Sequence, residues 1–223
     1  MTGYRAILFD MDGVLVDSEP LFLSAINRLL VQEGVEPVSV QENEEFLIGT
    51  TIGETWRQLK IRRPLPLPAE EYINRYDDIV RQVMQEELEP QPGVRELIQA
   101  CNERGLPKAV ASSSLHMWVD LKLGAIGLTG AFDAVLGGDD VTRGKPEPDI
   151  YIKAAESLGV PPGECIAIED SPIGIAAAVA SGAYTICVRT EYTRNLDVSL
   201  AHTILETLEE FDLSLLANGP AGH

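Results

Sequence analysis

The chain has 223 residues, 45% of them hydrophobic, and a formal net charge of −18 at pH 7. That length supports one sizeable core, or a core domain with a small accessory domain. The charge excludes a nucleic-acid binder, which needs a basic footprint, and no apolar run approaches the roughly 20 residues of a membrane helix.

So acidic a surface is first a solubility feature. It also repels anionic ligands at long range, so a phosphate ester would bind only through local positive charge, such as a divalent cation and a lysine. Met1-Thr-Gly-Tyr-Arg5 leads straight into the first apolar run, so no signal peptide is expected. Cys101, Cys165 and Cys187 are widely spaced and odd in number. They read as reduced core thiols of a cytoplasmic protein rather than as a disulfide set or a zinc site. A monomer is expected.

The first element is a strand over residues 4–10, with an apolar run from Ala6 to Phe9. It ends in Asp10 and Asp12, followed by Gly13. Ligands of open α/β sheets sit at the carboxyl ends of strands. Two acids placed there can divide labour, one as nucleophile and metal ligand, the other as general acid/base. Taken alone, Asp-x-Asp-Gly can also be read as an acidic turn, the less favoured alternative.

Residues 19–33 form an amphipathic helix with Leu21, Phe22, Ala25, Ile26, Leu29 and Leu30 on one face. Further helices are expected over 42–47, 52–60 and 69–87, the last two separated by Pro64, Pro66 and Pro68. Residues 17–86 contain no convincing strand, and the Pro/Gly hinge 89–94 precedes a helix at 93–103. Such a block is either an inserted cap domain or a set of peripheral helices. Within it, Trp56-Arg-Gln-Leu-Lys-Ile-Arg-Arg63 is basic and aromatic. Arg57 and Lys60 share a helical face and could hold a substrate anion or sugar. The preferred reading is a solvated face with Trp56 packed inside.

Strands at 108–112, 134–137, 165–169 and 185–188 then alternate with helices at 117–123, 150–158 and 171–181, and a short strand is expected at 203–205. This alternation favours a parallel sheet with crossover helices. Residues 217–223 read as a frayed tail.

Three further strand ends carry chemistry. The strand at 108–112 runs into Ser112-Ser113-Ser114. A hydroxyl and loop N–H groups there can hold a phosphoryl oxygen, though a serine triplet is also an ordinary capping turn. Lys145, placed before Pro146 in Arg143-Gly-Lys-Pro-Glu-Pro148, could neutralise a phosphate and a nucleophilic carboxylate. Ile166-Ala-Ile-Glu-Asp-Ser-Pro-Ile-Gly174 delivers Glu169 and Asp170 to a strand end. Adjacent buried carboxylates repel and need a cation, and hard oxygen ligands with an open position suit Mg²⁺.

These four motifs, in this order, resemble those of the haloacid dehalogenase-like hydrolases. Asp10-Met-Asp-Gly-Val-Leu-Val-Asp-Ser-Glu-Pro20 is close to the β-phosphoglucomutase-like phosphatase branch. The resemblance spans about residues 4–190 and implies a Rossmann-like α/β core (1–16 and 87–216) with an inserted α-helical cap (17–86). It makes Asp10 the nucleophile, Asp12 the acid/base and Ser112 the functional hydroxyl, and Gly-Lys-Pro-x-Pro-x-x-Tyr matches the family's lysine motif around Lys145. It further implies Mg²⁺ between Asp10, the main-chain oxygen of Asp12, and Asp170, with Glu169 a ligand directly or through water. Asp12 favours phosphoryl transfer, since haloacid dehalogenases and phosphonoacetaldehyde hydrolases lack an aspartate there. The expected substrate is a small phosphorylated metabolite, a sugar phosphate, held by Ser112, Ser113 and Lys145 and by Gly49, Thr50 and Thr51 of the branch's specificity loop. That loop has no basic residue before Arg57, and Glu19-Pro20 replaces a histidine of the β-phosphoglucomutases. Both departures count against a mutase. β-Phosphoglucomutase, phosphoglycolate phosphatase and a catalytically idle binding module remain the alternatives.

Overall fold

Short runs of small and branched apolar residues build the sheet, and amphipathic or alanine-rich stretches build the helices. The computed structural model describes residues 3–47 and 50–217. Six strands, β1 (Ala6–Phe9), β2 (Lys108–Ala111), β3 (Ala134–Leu136), β4 (Cys165–Glu169), β5 (Tyr184–Val188) and β6 (Thr203–Leu205), form one sheet in the order β3-β2-β1-β4-β5-β6. Every pairing is parallel. The helices are α1 (Glu19–Gln32), α2 (Val40–Phe46), α3 (Ile52–Arg62), α4 (Ala69–Glu87), α5 (Val94–Arg104), α6 (His116–Ala125), α7 (Asp149–Ser157) and α8 (Pro172–Ser181). The chain divides into two compact units, Met1–Asp17 with Glu89–His223, and Ser18–Leu88.

In the first unit, β1 and β4 are buried along their whole length. Both sheet faces are covered, which is why these strands are continuously apolar rather than alternating. Small side chains line part of the core: Ala109, Ala111, Ala167, Ala177 and Ala178 pack together with Tyr151. From β1 the chain lays β2 and β3 on one side, then crosses to β4 on the other. The strand order therefore reverses between β1 and β4, where open α/β sheets form their ligand crevice. Phe9 lies opposite Val110 and Ile168, so the next residues up the three strands are Asp10, Ala111 and Glu169. The ladder continues one step, with Asp10 N–H donating to Ile168 O at 2.9 Å.

The helical unit is held by α1 and α3 against α4. Trp56 is fully buried, stacked on Tyr72 at 5.0 Å and edge-on to Tyr76 at 6.3 Å. Helix α2 starts at Val40, two residues before the expected 42, because Ser39 and Glu42 form a reciprocal capping box. Lys60 does not face a ligand: its ammonium donates to Leu65 O at 2.9 Å and Leu67 O at 2.6 Å, bracing the proline-rich turn. Arg57 pairs with Glu54 at 2.7 Å on an exposed face. The packed-tryptophan alternative for this stretch is the one observed.

Ala217, expected in the tail, instead donates its N–H to Tyr4 O at 2.8 Å, tying the chain to the start of the sheet; residues 218–223 lie outside those described. Among the described residues no helix is long and apolar enough to cross a membrane. Removing the largest buried side chain of the helical unit leaves a cavity, so Trp56→Ala should destabilise that unit by about 3–5 kcal/mol. Urea unfolding followed by far-UV circular dichroism checks this; a loss below about 1 kcal/mol contradicts the packing described.

Candidate active site

Asp10 leaves β1 at the point where the strand order reverses, and Lys145 reaches it from the loop before α7. The Lys145 ammonium lies 2.6 Å from Asp10 Oδ1 and 2.6 Å from Glu169 Oε1, and its peptide bond to Pro146 is cis. Glu169 has no exposed surface, and both its oxygens are occupied. Tyr151 O–H donates to Oε1 at 2.7 Å, while Asp170 N–H, Ser171 N–H and Ser171 Oγ–H donate to Oε2 at 3.1, 3.3 and 3.2 Å. Two glycines make room. Gly174, in the first turn of α8, lies where a Cβ would overlap the Glu169 carboxylate, and a Cβ on Gly13 (φ +85°) would overlap that of Asp170.

The charges do not balance. Burial raises the Asp10 pKa well above the usual carboxylate range; Lys145 opposes this and Glu169 adds to it. Burial also acts to raise Glu169, but Lys145 and the surrounding donors hold it below its ordinary value. Desolvation opposes the charge on Lys145, yet Asp10 and Glu169 outweigh it and its pKa is raised. Asp170 is pushed up to about 7, by burial first and by Glu169 second. One lysine thus faces three carboxylates. Oxygens of Asp10, Glu169 and Asp170 all lie within 4.8 Å of one another, close enough to hold a metal ion. The donor set is hard oxygen with an excess of negative charge, which fits a divalent cation of the Mg²⁺ type.

Asp12 is placed differently. Its side chain is 39% exposed, and Lys122 from α6 reaches both of its oxygens, at 2.5 and 2.7 Å. Ser114 Oγ–H adds a bond to Oδ2 at 3.1 Å. Ser112 is buried at the end of β2 and its Oγ accepts from Ser114 N–H at 3.1 Å, whereas Ser113 is exposed. Of the helical-unit residues expected to bind substrate, Gly49 lies outside those described. Thr50 Oγ1 donates to Leu47 O at 2.7 Å, and Thr51 caps α3 by accepting from Glu54 N–H. A cavity of about 320 Å³ within this unit is lined by Glu19, Phe22, Asn43, Leu47, Thr50 and Thr55 among others, with no lysine or arginine among them.

Residues 7–188 match the haloacid dehalogenase-like hydrolase family. The chain belongs to that family. It is 33% identical over 192 residues to hexitol phosphatase B of Escherichia coli, covering 85% of this chain and 86% of that protein. A Thermotoga maritima structure provisionally assigned as a β-phosphoglucomutase superposes with a TM-score of 0.81 at 29% identity, covering 92% of this chain and 95% of that one. A CbbY variant from Rhodobacter sphaeroides, solved with xylulose-(1,5)bisphosphate, superposes with a TM-score of 0.73 at 31% identity, covering 96% and 99%. The hydrolase therefore sits on the β-phosphoglucomutase-like branch, and its class is that of a phosphoric monoester hydrolase.

Sequence reasoning missed four residues of this hydrolase that hold the site's side chains. Tyr151 is the last position of the quoted lysine string, and Ser171 is the cap of α8, so both had a signal. Lys122 had one too, as a lysine on the buried face of α6 with Val119 and Leu123. Ser114 had none beyond its place in the serine triplet. Gly174→Ala would push Glu169 away from Lys145, and misplacement of such a group by about 1 Å lowers turnover by about 10²-fold. Assay of an aryl phosphate with a parallel melting curve checks this; near-normal turnover contradicts the contact.

Proposed function

We propose that the enzyme hydrolyses the monophosphate of a sugar or sugar alcohol in two steps, through an aspartyl phosphate on Asp10, and that it requires Mg²⁺. The observation that carries this reading is the Lys145 bridge between Asp10 and Glu169 with Asp170 alongside. A buried aspartate with a raised pKa is a poor nucleophile until more positive charge arrives. Asp10, Asp170 and the main-chain oxygen of Asp12 would hold the ion. Glu169, whose oxygens are already taken by donors, would act through water. When bound, the ion supplies charge that offsets repulsion between the phosphate and the attacking carboxylate.

The chain's own groups do the rest. Asp10 attacks phosphorus in line. Lys145 and Ser112 hold the phosphoryl oxygens. Asp12 gives a proton to the departing alcohol, then takes one from the water that attacks the intermediate. The helical unit serves as the cap that selects the leaving group. Its own cavity, lined with hydroxyl, amide and carboxylate groups, suits a neutral polyol better than a carboxylate or a second phosphate. Similarity to hexitol phosphatase B supports the same choice. The second reading, a bisphosphate substrate or a mutase, has the CbbY complex in its favour, but the absence of a cation among the described cavity residues counts against it.

Two measurements test this. A protonated Asp170 cannot ligate a cation, and its pKa of about 7 means that protons compete with the ion at neutral pH. The Mg²⁺ concentration for half-maximal rate should therefore fall as pH rises from about 6 to 8, and should rise at least about tenfold in Asp170→Asn. An unchanged titration removes Asp170 from the ligand set. The second assay supplies β-glucose 1-phosphate with a bisphosphate primer and, separately, a panel of sugar monophosphates, using Asp10→Asn as the inactive control. Release of inorganic phosphate should outpace isomerisation; efficient formation of glucose 6-phosphate with little free phosphate overturns the phosphatase reading.

A further inference from the structure

Lys122 is a buried lysine with its ammonium given to Asp12. Its side chain is 5% exposed, on a face of α6 it shares with the buried Val119 and Leu123. Burying an ammonium is expensive unless it is paired, and an apolar residue of similar volume in such a place is often neutral or stabilising. The two partners are unequal: the Asp12 side chain is 39% exposed and water can reach it, whereas Lys122 has little access to water. Fold stability therefore does not explain a lysine at this position, but control of the aspartate does.

We propose that Lys122, with Ser114, is the positioning residue that aims the Asp12 carboxyl at the leaving-group oxygen. The inference rests on the reading of Asp12 as acid/base. The ammonium reaches both carboxylate oxygens and Ser114 reaches one. When one oxygen carries the proton bound for the alcohol, the other keeps its contact, so the carboxyl holds its direction through the transfer. Asp12 follows a strand and precedes the tight turn at Gly13, where Gly13 N–H donates to Val16 O at 2.7 Å. That backbone fixes the Cα, and the two side-chain contacts fix the carboxyl.

Such a role has a signature that a packing role lacks. A sugar alkoxide leaves only if protonated, whereas p-nitrophenolate leaves unaided. In a two-step phosphoryl transfer, kcat/KM covers only the steps up to departure of the alcohol, so it isolates the acid's contribution. The experiment measures kcat/KM for sorbitol 6-phosphate and for p-nitrophenyl phosphate in the wild type, Lys122→Met, Ser114→Ala and Asp12→Asn. General acid catalysis contributes about 10²–10⁴-fold, and loss of its aim should remove about 10-fold or more of that on the alkyl ester, with a far smaller loss on the aryl ester. Lys122→Met should melt no lower than wild type, and Ser114→Ala should show a weaker version of the same split. Lys122→Gln carries the test if the Met variant does not fold. Equal losses on both esters, or none, with a clear split in Asp12→Asn, overturn the role of Lys122 alone. No split in Asp12→Asn overturns the acid role of Asp12 and this inference with it.

Discussion

The contact of one ammonium with two carboxylates, Lys145 between Asp10 and Glu169, is the constraint on which the site depends. Parallel pairing of β1 with β4 brings the two acids to adjacent strand ends, where burial makes their charges unfavourable together. Lys145 is what lets them coexist. Glu169 gains four further donors, so it is the member of the trio that is fully satisfied. Asp10 has the lysine but is still held above its ordinary pKa. The geometry thus makes Glu169 an anchor and leaves Asp10 short of positive charge.

A second lysine, as buried as the first, repeats the device around a more exposed carboxylate. Asp10 and Asp12 lie two residues apart, yet each meets its own ammonium, one from the loop before α7 and one from α6, and Asp12 is the more exposed of the two acids. Two aspartates in one loop can perform different tasks only if their surroundings differ, and here the difference is built from residues more than 100 positions away in sequence. Neither lysine could be replaced by arginine without change, because each ammonium sits at a point between oxygens rather than across a planar fork.

Most of the fold was legible in the sequence, because central parallel strands are continuously apolar and the helices that cover them show period or composition. Each strand end named for chemistry lies at the carboxyl edge. What the sequence hides is which partner each polar group finds, near in the chain or far from it. The serine triplet gave no sign that Ser114 would turn to Asp12. The anion-holding alternative for Lys60 stayed open in the sequence because its two carbonyl partners, Leu65 and Leu67, carry no side-chain signal. α2 starts two residues before the expected 42 because its start is set by the Ser39–Glu42 capping box rather than by the apolar pattern. Ala217 was assigned to the tail because a single backbone bond to Tyr4 leaves no mark in composition.

The sheet order has a consequence for the order in which the molecule can be made. β1 precedes the other five strands of the sheet in the chain and is also a central strand, with neighbours that begin at residues 108 and 165. The contacts of the helical unit are comparatively local and can form while β1, an apolar segment with no partner on either side, still waits. Long-range parallel pairing is slow for this reason, and such edges are where nascent chains aggregate. The candidate site joins residue 10 to residue 169 through Lys145, so it forms only after β4 has been made, and a chain truncated before β4 would carry Asp10 without the carboxylate it shares its lysine with.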